Sequence, residues 1–100
     1  MLEITAKELK ELIDKKVDFQ LIDVREPHEF DDMNLQGELI PMGDVMDNAD
    51  KIAKDKQVII HCRSGKRSAA VIQALETQLG YKNLYNLKGG ILAYIEDVGL

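Results

Sequence analysis

Short apolar runs alternate with amphipathic stretches along this chain, and that alternation limits the folds open to it. The run "DFQLIDVR" at 18–25 is rich in Phe, Leu, Ile and Val and closes on a charged pair, as a strand buried on both faces does. "KQVIIHC" at 56–62 is the clearest strand, and "NLYNL" at 83–87 reads as another. "GELIPM" at 37–42 gives a brief strand or an extended turn. Between these runs lie helix signals. In "ITAKELKELIDKK" Thr5 is placed to cap a helix, Glu8 follows three residues later, and Leu9, Leu12 and Ile13 share one face. "EPHEFDDMN" carries Pro27 where a first helical turn tolerates it, so a short helix and a loop are expected there. "VMDNADKIAKD" at 45–55 reads as a polar-faced helix. "SAAVIQALETQLG" puts Val71, Ile72, Leu75 and Leu79 at helical spacing and stops at Gly80, and "GGILAYIEDVG" closes the chain as a last helix. The pattern predicts an α/β fold with a mostly parallel central sheet and helices on both faces.

Length fits one domain over residues 1–100, with enough apolar content to form a core without disulfides or a structural metal. No apolar run approaches the roughly 20 residues of a membrane span. The N-terminus lacks a basic segment leading into an apolar one, so a cytoplasmic location is the expectation. The net charge of −5 argues against nucleic acid and anionic membrane as general partners. Charge is unevenly spread, however. Residues 56–75 hold Lys56, Arg63, Lys66 and Arg67 and no Asp or Glu, whereas the first 55 residues hold 15 of the 18 acids.

That cationic island surrounds the only cysteine, Cys62, in "CRSGKRS". In sheets of this type ligands collect at the carboxyl ends of strands, where loops lead into helices. Cys62 lies at such a place, between "QVIIH" and a helix starting near Ser68. A tight loop there can aim successive N–H groups at one point, and Gly65 admits backbone conformations closed to other residues. The helix N-terminus and the nearby Arg and Lys both favour thiolate over thiol. Cys62 therefore reads as a nucleophile in an anion cradle.

Other constellations carry less. Two histidines and one cysteine are too few for a closed zinc site, and neighbours such as His61 and Cys62 would point to opposite faces of a strand, so no metal is expected. His28 reads as a surface residue, and Asp44, Asp47 and Asp50 as a solvated helix face without the glycine and final Glu of a calcium loop. "GKRS" is not a nucleotide loop, because no glycine stands five residues before Gly65 and Arg67 occupies the Ser/Thr place.

"CRSGKRS" after an apolar strand resembles the active-site loop of the rhodanese family of single-domain sulfurtransferases. "LIDVREPHEF", with Asp23, Val24, Arg25, Glu26, Glu29 and Phe30, resembles that family's Asp-Val-Arg strand end. "YNLKGGILAY" resembles its closing Leu-x-Gly-Gly segment, with Tyr94 where tryptophan is common. The likeness runs over residues 4 to 95 in the family's order. "MNLQGELIP" departs from it, keeping only Gly37 and an Ile-Pro pair. Four residues separate Cys62 from Arg67, whereas the related cysteine phosphatases have five. The shorter ring suits one added sulfur atom rather than a phosphate.

The resemblance implies a thiosulfate sulfurtransferase that needs no cofactor. Cys62 would take the outer sulfur of thiosulfate as a persulfide and pass it to cyanide, a thiol or another protein. Loop amides from Arg63 through Ser64, Gly65, Lys66 and Arg67 to Ser68 would steady the new sulfur. Arg63, Lys66 and Arg67 would attract the dianionic donor. Asp23 and Arg25 would brace the site. A persulfide relay or binding module is the alternative, and a cysteine phosphatase a weaker one. The expected assembly is a monomer or weak homodimer, the latter sheltering the loop.

Overall fold

A computed structural model describes residues 1–100. Five strands, all parallel, form one sheet: β1 (Leu2–Ile4), β2 (Gln20–Asp23), β3 (Glu38–Leu39), β4 (Val58–His61) and β5 (Leu84–Leu87), in the spatial order β1-β5-β4-β2-β3. The helices are α1 (Ala6–Asp14), α2 (Pro27–Asp32), α3 (Lys66–Leu79) and α4 (Gly90–Asp97). The predicted α/β architecture, with a parallel sheet covered on both faces, is the one observed.

Local chemistry explains most elements. Thr5 and Glu8 form the reciprocal cap of α1, with the Glu8 amide donating to Thr5 Oγ1 at 3.1 Å and the Thr5 amide to Glu8 Oε1 at 2.9 Å. α3 ends at Gly80, whose φ of +72° is open to a residue without Cβ. Three expectations need correction. β1 is absent from the sequence reading, because three residues with two exposed carry no periodicity; the strand exists through its register with β5, Leu2 to Tyr85 and Ile4 to Leu87. The helix expected over 45–55 is instead a pair of 3-10 segments, Met42–Asp44 and Met46–Lys51, broken at Asn48. There the Asn48 side chain donates to the Asp44 carbonyl at 2.8 Å, the local bonding by which Asn competes with a helix. α3 begins at Lys66 rather than near Ser68, so Lys66 and Arg67 sit in its first turn.

Successive strand residues alternate between two cores. Ile22, Val24, Val58 and Ile60 meet Val71, Ile72 and Leu75 of α3. Ile59 and Leu87 face the other way, onto Leu9 of α1 and Tyr94 of α4. Each such side chain contributes about 1.5–3 kcal/mol by leaving water, which fixes the register: a slip of one residue would exchange the faces. Because every strand is parallel, the loop from β2 to α2, the loop from β4 to α3 and the turn from β5 to α4 all emerge at one edge of the sheet. Cys62 lies in the middle of that edge, since β4 runs between β5 and β2.

Candidate active site

Cys62 is the first residue after β4, on the α3 side of the sheet, and is 1% exposed. Burial alone would make it an inert small hydrophobe. Its surroundings are polar instead. The Gly65 amide donates to Sγ at 3.1 Å, the Ser68 amide lies 3.4 Å from it in donating geometry, and the Ser68 hydroxyl is also 3.4 Å away. The loop bends inward because its carbonyls are held outside. The Cys62 carbonyl accepts from the Ile91 amide at 2.9 Å and the Arg63 carbonyl from the Leu92 amide at 3.2 Å, so the first turn of α4 satisfies both. The Gly65 carbonyl accepts from Asn86 Nδ2 of β5 at 3.1 Å. With those oxygens turned outward, the following amides point at the sulfur. Gly65 reaches this course at φ +103°, which a side chain would strain. A Cβ on Gly90 would collide with the Arg63 carbonyl and lie 2.7 Å from that of Cys62, so only glycine lets α4 approach the loop.

The donors around the sulfur favour its ionised form over the neutral thiol. Burial pushes Cys62 up, but hydrogen bonding with Ser68 and with the amides of Gly65 and Ser64 outweighs it and holds the thiol below its ordinary 9.0.

The three cations of the loop part company. Arg67 forms a two-pronged pair with Glu29 of α2, at 2.7 Å and 2.9 Å. That pair pulls the Glu29 carboxyl down from 4.5 to about 2, against the smaller opposing effect of burial. Arg63 and Lys66 are exposed and make no ion pair, and Ser64 is exposed between them. Beside Arg63 opens a cleft of about 460 Å³, walled by Glu29, His28 and Asp32 on one side and by Ile91 and Leu92 of α4 on the other. His28 is exposed, as are Asp44, Asp47 and Asp50.

Asp23 and Arg25 form a separate buried unit. Arg25 Nη2 donates to Asp23 Oδ2 at 2.8 Å and its Nε to Oδ1 at 3.1 Å, while Nη2 also donates to the Met33 carbonyl at 2.8 Å. This ties the end of β2 to the residue after α2. His61, level with Asp23 in the sheet, is fully buried, with Nε2 3.7 Å from Asp23 Oδ2 and without a hydrogen-bond partner. Burial lowers its pKa from 6.5, the nearby Asp23 charge opposing, so the ring is neutral near pH 7. No group of three or more metal-ligating side chains gathers anywhere in the fold.

The sequence reading gave no part to Asn86, to the pairing of Glu29, or to Gly90 as the contact between α4 and the loop. Asn86 could have been found, being a polar residue in a strand expected to be buried on both faces. A residue of that kind persists only when its hydrogen bonds are met.

Comparison with known proteins bears on the family and the fold. A family model, the rhodanese-like domain, matches residues 5–97. The chain is 40% identical over 93 residues to a putative sulfurtransferase, YtwF, of Bacillus subtilis, covering 92% of this chain and 88% of that one. It is 33% identical to the thiosulfate sulfurtransferase GlpE of Coxiella burnetii, over 88% of this chain and 81% of that one. Among solved structures, a rhodanese-like domain protein of Staphylococcus aureus superposes with a TM-score of 0.85 at 34% identity, covering 94% of this chain and 91% of the other.

Proposed function

The chain belongs to the rhodanese-like domain family, and we propose that it is a sulfurtransferase that carries sulfur on Cys62, with thiosulfate as donor. One observation carries this reading: main-chain amides of a short strand-to-helix loop converge on the sulfur of the only cysteine. The four residues between Cys62 and Arg67 make a shorter loop than the five of the related cysteine phosphatases, which suits one added sulfur rather than a phosphate. Sulfurtransferases among its relatives, one of them named for thiosulfate, support the same chemistry.

In the first half-reaction the Cys62 thiolate attacks the outer sulfur of thiosulfate. An S–S bond to Cys62 forms, the S–S bond of the donor breaks, and its electron pair leaves on sulfite. The three negative charges on the left become one on the persulfide and two on sulfite. Arg63 and Lys66, exposed on and just after the loop, attract the dianion. Arg67 plays a different part. With its guanidinium on Glu29 it braces the loop against α2, while its charge still bears on the sulfur. The amides of Ser64, Gly65 and Ser68 hold the outer sulfur's negative charge. Asp23 and Arg25 support the site by fixing the end of β2. In the second half-reaction an acceptor attacks that outer sulfur and Cys62 departs as thiolate; cyanide yields thiocyanate, and a thiol or protein thiol serves in a cell. No cofactor enters either step.

Intact-mass measurement after incubation with thiosulfate tests the proposal. One added sulfur atom is expected, removed by cyanide as thiocyanate. Cys62→Ser is expected to add none and to lose turnover by about a thousandfold or more with the fold intact. Sulfur loading that survives this substitution sinks the assignment. Loading without cyanide turnover would assign the protein to relay rather than free catalysis.

A further inference from the structure

Asn86 spans the loop without bonding to the sulfur. It stands on β5 beside β4, 5% exposed, on the face that also holds Cys62. Its Nδ2 donates to the Gly65 carbonyl at 3.1 Å, and its Oδ1 accepts from the Ser68 hydroxyl at 2.6 Å. The orientation of this amide is set by its partners, since the reverse would turn two carbonyl oxygens toward each other. Ser68 Oγ also lies 3.4 Å from Cys62 Sγ. A serine hydroxyl has one proton to give. At 2.6 Å against 3.4 Å, the shorter partner holds it.

While that proton lies on Asn86, Ser68 can accept from a Cys62 S–H but cannot donate to a thiolate. We infer that Asn86 competes with Cys62 sulfur for the single proton of Ser68, and so leaves the thiolate's charge to the main-chain amides. The inference rests on Cys62 being the nucleophile of the proposed sulfur transfer, and it names a positioning residue for that nucleophile. The chemical sense is plain. A thiolate with fewer donors is more basic and intrinsically more reactive toward a sulfur electrophile. Ser68 then becomes available to a developing charge only by giving up Asn86, whose buried oxygen is left unpaired.

The charged groups around the thiol stay as they are when Asn86 is replaced. Arg67 of α3 is bound to Glu29 of α2, Arg25 beyond β2 is bound to Asp23, His61 of β4 is neutral, and Arg63, Lys66 and Lys88 are exposed. A change in thiol titration would therefore report the hydroxyl.

The full chain carries one cysteine, so the rate of alkylation by iodoacetamide as a function of pH reads Cys62 alone. Asn86→Leu frees the Ser68 hydroxyl to turn to the sulfur. Its alkylation midpoint is expected to move to lower pH, with the thiolate fraction below the midpoint rising about threefold to tenfold. In a Ser68→Ala background the same substitution is expected to move nothing. Equal shifts in both backgrounds would mean that Asn86 acts through the Gly65 carbonyl and the shape of the loop, and would overturn the inference. An unmoved or raised midpoint with Ser68 present would overturn it as well. If Asn86→Leu lacks native circular dichroism, Asn86→Val, smaller and suited to a strand, takes its place with the same outcomes. Sulfur loading from thiosulfate, measured separately by mass, keeps the two readings apart: failure of the native chain to load sulfur removes the transferase and leaves the alkylation result standing.

Discussion

The two edges of the sheet satisfy their polar groups in opposite ways. At the amino edge neutral side chains tie down the segment before β4: Gln20 accepts from the Ala53 amide at 2.8 Å and donates to the Lys51 carbonyl at 2.7 Å, and Asn83 donates to the Ala53 and Lys56 carbonyls at 2.8 Å and 2.6 Å. The ion pair there, Lys56 with Asp18, lies in water, the Asp18 side chain being 84% exposed. At the carboxyl edge the ion pair Asp23–Arg25 is buried, a neutral histidine stands beside it, and a thiol is ringed by amides. Burying charge is expensive and is tolerated where partners are fixed. The amino edge holds a connecting segment in place; the carboxyl edge keeps donors aimed at one sulfur.

The contrast can be broken most sharply at the ion pairs. Asp23→Ala leaves the Arg25 guanidinium buried without its carboxylate and is expected to cost about 3–5 kcal/mol in urea unfolding. Replacing Asp23 and Arg25 together by leucine is expected to recover part of that loss, because no charge then remains buried. Equal stability of the single and double variants would show that the guanidinium is not what suffers.

Glycines at the two edges give the next largest effect. Gly80, at the amino edge, has φ +72° and open space where a Cβ would stand, so Gly80→Ala is expected to cost only backbone strain, about 1–2 kcal/mol, with unchanged Cys62 alkylation. Gly90→Ala adds a collision with the loop carbonyls to similar strain. It is expected to cost roughly 1–3 kcal/mol or more and to slow sulfur loading. Normal loading by Gly90→Ala would show that the approach of α4 does not shape the amide ring.

Acid titration sharpens the comparison further. The folded pKa of Glu29 is lowered from 4.5 to about 2, so its pairing with Arg67 adds stability that is complete above pH 4.5 and lost as pH falls toward about 2. The difference in unfolding free energy from urea titration between the native chain and Glu29→Gln, about 1 kcal/mol near neutrality, is expected to shrink across that window. A difference that persists at the acid end would assign the effect to packing. The smallest change belongs to the amino edge: Asp18→Asn is expected to alter stability by less than about 0.5 kcal/mol.

Much of this was legible in the chain itself. The strand-like runs, the reciprocal cap at Thr5 and Glu8, the C-terminal cap at Gly80 and the placing of Cys62 in a strand-to-helix loop all rest on neighbours within a few positions, where side-chain spacing and backbone preference act directly. The failures have two causes. β1 exists only because β5, some eighty residues on, offers it a ladder, and the helical spacing of "VMDNADKIAKD" is interrupted at Asn48, whose side chain bonds the Asp44 carbonyl. At the site, three adjacent cations looked alike. Only the fold turned Arg67 toward Glu29 and left Arg63 and Lys66 in water.

Sequence alone therefore determined the sheet class and the strand-to-helix loop that bears the single cysteine, since each is written in short-range spacing. The tertiary structure decided which donors meet the sulfur and which side chains hold them there. Asn86, Gly90 and Glu29 lie 18 to 38 positions from their loop partners, and contacts at such separations are chosen by the packing of whole elements rather than by any local preference.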